Sequence, residues 1–314
     1  MSAIIRPLTQ GDLPTARRLL SVAFGTFLGA PDPENFWADR DYVYGRFAAE
    51  HVASFAAEVD GELVGSNFVT SWGSVGFFGP ITIRPDHQAR GIGKSLVEAV
   101  SSQLDTWGTR HAGLFTFPHS PLHLALYGKF GFHARFLTAI MAAPARSVGN
   151  AVPWSRYSAL PESEREAAVK SCRGLTEEIY DGLDLGPEIR TVAARDLGDT
   201  ILLSDPGNRL AGFAICHWGP ASEAGDGCCF VKFGAARPGP GAEERFAALL
   251  DACGALAVAV GMPNVLAGVN LARAEAYRYM VTRGFRTQIP GVTMHRPNEP
   301  GYSRPAVYVL DDWR

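Results

Sequence analysis

The stretch with the most chemistry in it runs from Ile81 to Ser95: Ile-Thr-Ile-Arg-Pro-Asp-His-Gln-Ala-Arg-Gly-Ile-Gly-Lys-Ser. Ile81, Thr82 and Ile83 close a strand, Pro85 ends it, and from Gly93 onward apolar residues recur at helical spacing. A helix N-terminus presents unpaired backbone N–H groups and the positive end of the helix dipole. Gly91 and Gly93 remove side chains that would stand between the backbone and a ligand. The turn Gln88-Ala89-Arg90-Gly91-Ile92-Gly93, with Lys94 and Ser95 behind it, is therefore a candidate phosphate cradle. Gly93-Lys94-Ser95 imitates the end of a P-loop, but that motif needs glycine where Gln88 stands. A dinucleotide fold needs a βαβ unit, whereas an antiparallel meander leads into this loop. A plain glycine turn leaves the flanking strand and helix unexplained. His119 and His123 are four apart and could share a helix face, but a zinc site needs further ligands at clear spacing, and none is present.

The elements that must position this loop can be read on either side. Ile4-Ile5-Arg6 is a short strand. Asp12, with Pro14 just inside, is an N-cap candidate for a helix to Phe24. Strands at Phe55–Val59 and Leu63–Ser71 flank the turn dipeptide Asp60-Gly61. A third strand spans Val75–Ile83, a helix Gly93–Leu104, and a buried-type strand Ala112–Phe117. A helix from Ser120 to Phe130 closes on Gly131, before a strand at Phe132–Met141. Ala142–Trp154 has no periodicity and reads as a linker. Beyond it the order repeats loosely, which suggests an internal duplication. Helices at Glu162–Cys172, Glu243–Val258 and Leu271–Thr282 alternate with strands at Thr200–Ser204, Leu210–His217, Cys229–Ala235, Val265–Gly268 and near Val292 and Val307.

A chain of 314 residues, 46% hydrophobic and 19% charged, has room for two ordinary globular cores. Its net charge of −3 gives no sign of a nucleic-acid partner. There is no apolar run long enough to span a bilayer, and Met1–Pro7 does not have the layout of a signal peptide. Five cysteines, all in the second half and without metal-ligand spacing, suggest reduced thiols and a cytoplasmic protein.

Gln88-x-x-Gly-x-Gly after a strand ending in x-Pro resembles the coenzyme A loop of the GNAT superfamily of acyl-CoA N-acyltransferases. Ile4-Ile5-Arg6-Pro7 with Asp12-Leu13 resembles that family's opening strand and helix. Tyr127-Gly128-Lys129-Phe130-Gly131-Phe132 resembles its closing segment, in which a Tyr stands four residues before Gly-Phe. The resemblance covers residues 3–141. It implies an α/β fold (an α+β mixed sheet) in two tandem GNAT-like domains: residues 1–143 catalytic, 144–157 a linker, and 158–314 a degenerate copy. It also implies acetyl-CoA as cosubstrate, without a metal, and direct attack by an amine in a ternary complex. The acceptor would be a small-molecule or protein amine, and the protein a monomer or homodimer. Backbone groups of Ile81 and Ile83, flanking Thr82, would hold the pantetheine arm, and the amides from Gln88 to Lys94 the pyrophosphate. Ser120 would cap the closing helix and lie near the coenzyme. Tyr127 stands where the family's acid stands, and a phenol with a pKa of about 10 can protonate a leaving thiolate. His119 is the first choice for the base, with Glu50, His51, Glu58 and Glu62 the other candidates.

The second half departs from this pattern. Gly234-Ala235-Ala236-Arg237-Pro238 echoes Ile81–Pro85, but the loop after it is shortened by three residues. It carries Pro240, which has no N–H, followed by Glu243 and Glu244, which would repel phosphate. Met280 stands where Tyr127 stands in the first half. The sequence thus predicts one coenzyme site per chain. A second reading is a non-catalytic acyl-CoA-binding sensor.

Overall fold

The computed structural model describes residues 3–147 and 152–314. In the first half, β1 (Ile4–Pro7), α1 (Leu13–Phe27), α2 (Tyr44–Phe47), β2 (Val52–Val59), β3 (Glu62–Trp72), β4 (Val75–Phe78), β5 (Thr82–Ile83), α3 (Ile92–Thr106), β6 (His111–Thr116), α4 (Pro121–Gly128) and β7 (His133–Pro144) follow one another. In the second half come β8 (Trp154–Arg156), α5 (Glu162–Ile179), α6 (Gly186–Ala194), β9 (Gly198–Ser204), β10 (Leu210–Gly219), β11 (Gly225–Ala236), α7 (Ala242–Ala259), β12 (Asn264–Asn270), α8 (Ala274–Thr282), β13 (Arg286–Arg296) and β14 (Val309–Leu310).

All fourteen strands belong to one mixed sheet, in the order β1-β2-β3-β4-β6-β13-β7-β12-β11-β10-β9-β8, with β5 on β3 and β14 on β11. The fold is the expected α/β mixed sheet in two similar halves. The halves exchange strands: β13 runs antiparallel to β6, and β7 runs antiparallel to β12, so each half's sheet is continued by the other's last long strand. β13 and β7 also pair with each other.

Local sequence explains the elements. Leu13, Ala16, Leu19 and Leu20 put one face of α1 into the core, and Ile92, Leu96, Val97, Val100 and Leu104 do the same for α3. Asp12 does not cap α1 through its side chain. Its carboxylate instead accepts from the N–H and hydroxyl of Thr9, at 2.8 and 2.7 Å, and pairs with Arg6. The strand expected at Val75–Ile83 is two strands interrupted by Gly79-Pro80, because Pro80 has no N–H for a ladder. α6 lies in a stretch without an assigned element, and β8 and the end of β7 fall in the segment read as linker. Residues 148–151 of that segment lie outside the described residues.

A buried charged cluster joins the halves. Arg46 of α2 binds Glu223 at 2.8 and 3.0 Å. Glu223 also takes Lys232 at 2.7 Å, and Glu188 takes His51 at 2.9 Å and the Trp72 indole at 3.1 Å. Each charge has an opposite neighbour, which such depth requires. No helix among the described residues is long and apolar enough to cross a membrane, and all five cysteines are free.

Candidate active site

β4 and β6 are parallel neighbours from Val75 and His111 to Phe77 and Gly113, and then part. β5 leans away to pair with β3 at Gly65 and Ser66. The parted strands open a V. On one side of it α3 begins at Gly91, whose φ of +85° is a left-handed conformation that glycine adopts without cost. Ser95 N–H makes the first helical bond, to Gly91 O, at 3.2 Å. The N–H groups of Ala89, Arg90, Gly91, Ile92, Gly93 and Lys94 find no acceptor among the described residues. Six consecutive free amides at a helix N-terminus fit the pyrophosphate of a coenzyme.

These amides border a groove of about 360 Å³. Ile81, Ile83, Gln88, Ala89, Gly91, Gly93, Lys94, Ser120 and Tyr127 line it. Thr82, Arg90, Ile92 and Ser95 do not. Thr82 turns inward and its hydroxyl meets that of Ser66 at 2.8 Å, Ile92 is buried with Leu96, and Arg90 is exposed. Ser120 caps α4, its hydroxyl accepting from His123 N–H at 3.4 Å.

A second, larger cavity of about 670 Å³ adjoins the groove and shares Phe24, Ile81, Phe117, His123 and Tyr127 with it. Both halves line it, the second contributing Cys228, Asn264, Gln288, Trp313 and Arg314 among others. Tyr127 thus stands at the junction, its ring edge-on to Phe78 at 5.8 Å, and burial pushes its phenol above the ordinary value. His123 is one helical turn before Tyr127 and lies at the same junction. Burial and the nearby His119 hold its imidazole below the ordinary value, and its Nδ1 has no partner among the described residues. His119 is exposed, stacks on Phe27 at 5.9 Å and lines neither space. Glu50 and Glu62 are exposed, Glu58 pairs with Arg6, and His51 is tied to Glu188; none of the four lines the groove or the cavity. The place of His123 was legible as an i, i+4 pair with Tyr127.

The second half repeats this geometry and closes it. β11 and β12 are parallel from Cys229 and Val265 to Val231 and Ala267, and then part. Into their V runs β14, antiparallel to Gly234 and Ala235, and Ala236 N–H donates to Tyr308 O at 3.0 Å. The chain's own segment therefore takes the backbone bonds that Ile81 and Ile83 leave open in the first half. The loop before α7 is also filled: Arg245 donates to Arg237 O, Pro238 O and Gly239 O at 2.9–3.3 Å. Beyond β14 the same segment crosses to the first half, where Trp313 packs on Gly113 so closely that any Cβ there would overlap its ring.

Residues 17–132 match the model of the acetyltransferase (GNAT) family. The first half is a GNAT domain. The chain has the fold of tandem GNAT proteins. Over 94% of its length it superposes with a TM-score of 0.58 and 13% identity on 98% of a tandem GNAT protein from the clavulanic acid biosynthesis pathway. A Pyrococcus horikoshii protein assigned as an acetyltransferase matches all of the chain with 95% of its own, at a TM-score of 0.67 and 14% identity. A GCN5-related N-acetyltransferase of Sphaerobacter thermophilus matches 94% of the chain with 95% of its own, at 0.57 and 16%. Among curated proteins none matches. The matched segment lies wholly in the first half.

Proposed function

We propose that the protein is an N-acetyltransferase that binds acetyl-CoA in the groove of the first half and acylates an amine held in the adjoining cavity. The observation that carries this reading is the meeting of the two spaces at Tyr127. A thioester lying along Ile81 and Ile83, with its pyrophosphate on the amides of Ala89–Lys94, would bring its acyl carbon toward that junction. An amine that has given up its proton attacks the thioester carbon; the C–N bond forms, the C–S bond breaks, and Tyr127 protonates the departing thiolate. Overall, R–NH3⁺ and acetyl-CoA give the acetamide, coenzyme A and one proton. His119 and His123 are the candidate bases, and the lining of the junction favours His123, whose lowered pKa keeps it unprotonated near neutrality.

The test is thiol release from acetyl-CoA across a panel of amines. Amine-dependent release supports transfer. Saturable binding of acetyl-CoA with no release for any amine would instead favour the sensor reading, in which the same groove reports coenzyme levels.

A further inference from the structure

Resting on the reading just given, the geometry points to an acceptor of one class: an amine with an aromatic or apolar body and a carboxylate, the carboxylate bound by Arg314. Among the described residues no Asp or Glu lines the larger cavity, so no carboxylate there would pair with a second cationic group of a polyamine. Its walls include Phe24, Trp37, Phe78, Phe115, Leu266 and Ile289, and at about 670 Å³ it is within the range of roughly 300–1,000 Å³ usual for small-molecule sites. Two cations line it. Arg40 is already bound in bidentate fashion by Asp39, at 3.0 and 2.9 Å. Arg314 is not matched in this way. Its side chain is 13% exposed and its guanidinium sits 3.9 Å over the Phe230 ring. Nε and Nη2 are buried without a hydrogen-bond partner among the described residues, which leaves Nη1 as the nitrogen open to the cavity.

The nearest carboxylate to this guanidinium is Asp312, 3.4 Å from Nε and outside hydrogen-bond geometry. Burial raises the Asp312 pKa, which weakens it as a counter-charge. The main-chain oxygen of Arg314 is held by Arg46 at 2.6 Å, so the residue is fixed in place. A fixed cation with an open N–H at Nη1 and only a weakened counter-charge beside it suits a carboxylate, whose charge-assisted hydrogen bond is stronger than one from a neutral acceptor.

The experiment compares amines that differ only by the carboxylate: L-tryptophan against tryptamine, and L-phenylalanine against phenethylamine, with spermidine as the polycation. Thiol release from acetyl-CoA is expected to give kcat/KM at least tenfold higher for the carboxylated member of each pair. In Arg314→Gln the KM of that member should rise at least tenfold, with Arg314→Lys in between and coenzyme A binding retained as the check of folding. Equal or better turnover of tryptamine, phenethylamine or spermidine would overturn the proposal while leaving acetyl transfer standing. If no amine releases thiol, transfer fails. Thermal shift of the coenzyme-bound wild type then decides the acceptor class alone: stabilisation by L-tryptophan beyond that by tryptamine supports it, and equal or no stabilisation overturns it.

Discussion

At the residue scale, the proposed reaction gives its proton chemistry to two side chains one helical turn apart. Burial keeps the Tyr127 phenol protonated across the neutral range, so it holds the proton that the proposed step delivers to the thiolate. General acid catalysis contributes roughly 10²–10⁴-fold. Tyr127→Phe is therefore expected to lower kcat by about 100-fold, with the KM for acetyl-CoA little changed; steady-state kinetics with wild-type turnover would remove Tyr127 from the mechanism. His123 must be neutral to act. Its pKa is lowered, so the acid limb of kcat/KM against pH should lie below about 6.5, the ordinary histidine value, and vanish in His123→Gln. The same profile recorded for His119→Gln identifies which of the two histidines holds the proton.

At the scale of elements, a loop and a strand make the first half the proposed coenzyme site. Gly91 has φ of +85° and open space around it, so a side chain there is strained by the backbone rather than by contacts, at about 1–3 kcal/mol, and it would also hold phosphate away from the amides. Gly91→Val is expected to weaken coenzyme A binding tenfold or more by calorimetry. Gly239 in the second-half loop is equally open, with φ of +94°, and Gly239→Val should leave that affinity unchanged, because β14 and Arg245 already occupy the second cradle. A matching loss in both variants would mean that the second loop also takes part in binding.

At the scale of the molecule, exchange of β7 and β13 makes the halves one body, and the segment from Tyr308 to Arg314 fills one V while walling the cavity beside the other. Titration with coenzyme A should therefore saturate at one equivalent per chain; two would contradict the filled second site. The buried histidines set a pH limit on this body. Burial pushes His111 and His217 down to about 4 and His295 to about 3. In the unfolded chain they take up protons near the ordinary value of about 6.5. Between these values the unfolded state binds more protons, so their contribution is complete above about pH 6.5 and is lost as pH falls toward 4. Melting temperature should fall by roughly 5–10 °C between pH 7 and pH 4.5, and a flat profile there would count against it.

The first-half loop with its free amides was legible in the sequence because it depends on local features: two glycines at fixed offsets, a proline that ends a strand, and apolar periodicity that starts a helix. Tyr127 and the Ser120 cap were readable for the same reason. The defects of the second loop were readable too, since Pro240, Glu243 and Glu244 act on their own backbone and charge. The strand exchange was not readable, because β7 and β13 have the same apolar pattern whichever neighbour they pair with. The occupant of the second V was also hidden, as backbone pairing between Gly234 and Leu310 leaves no mark on residue type. The segment from Tyr308 to Arg314 is both plug of the second V and wall of the cavity. Local chemistry can be read from adjacent residues, whereas the choice among equally apolar partners is settled only when the whole sheet closes.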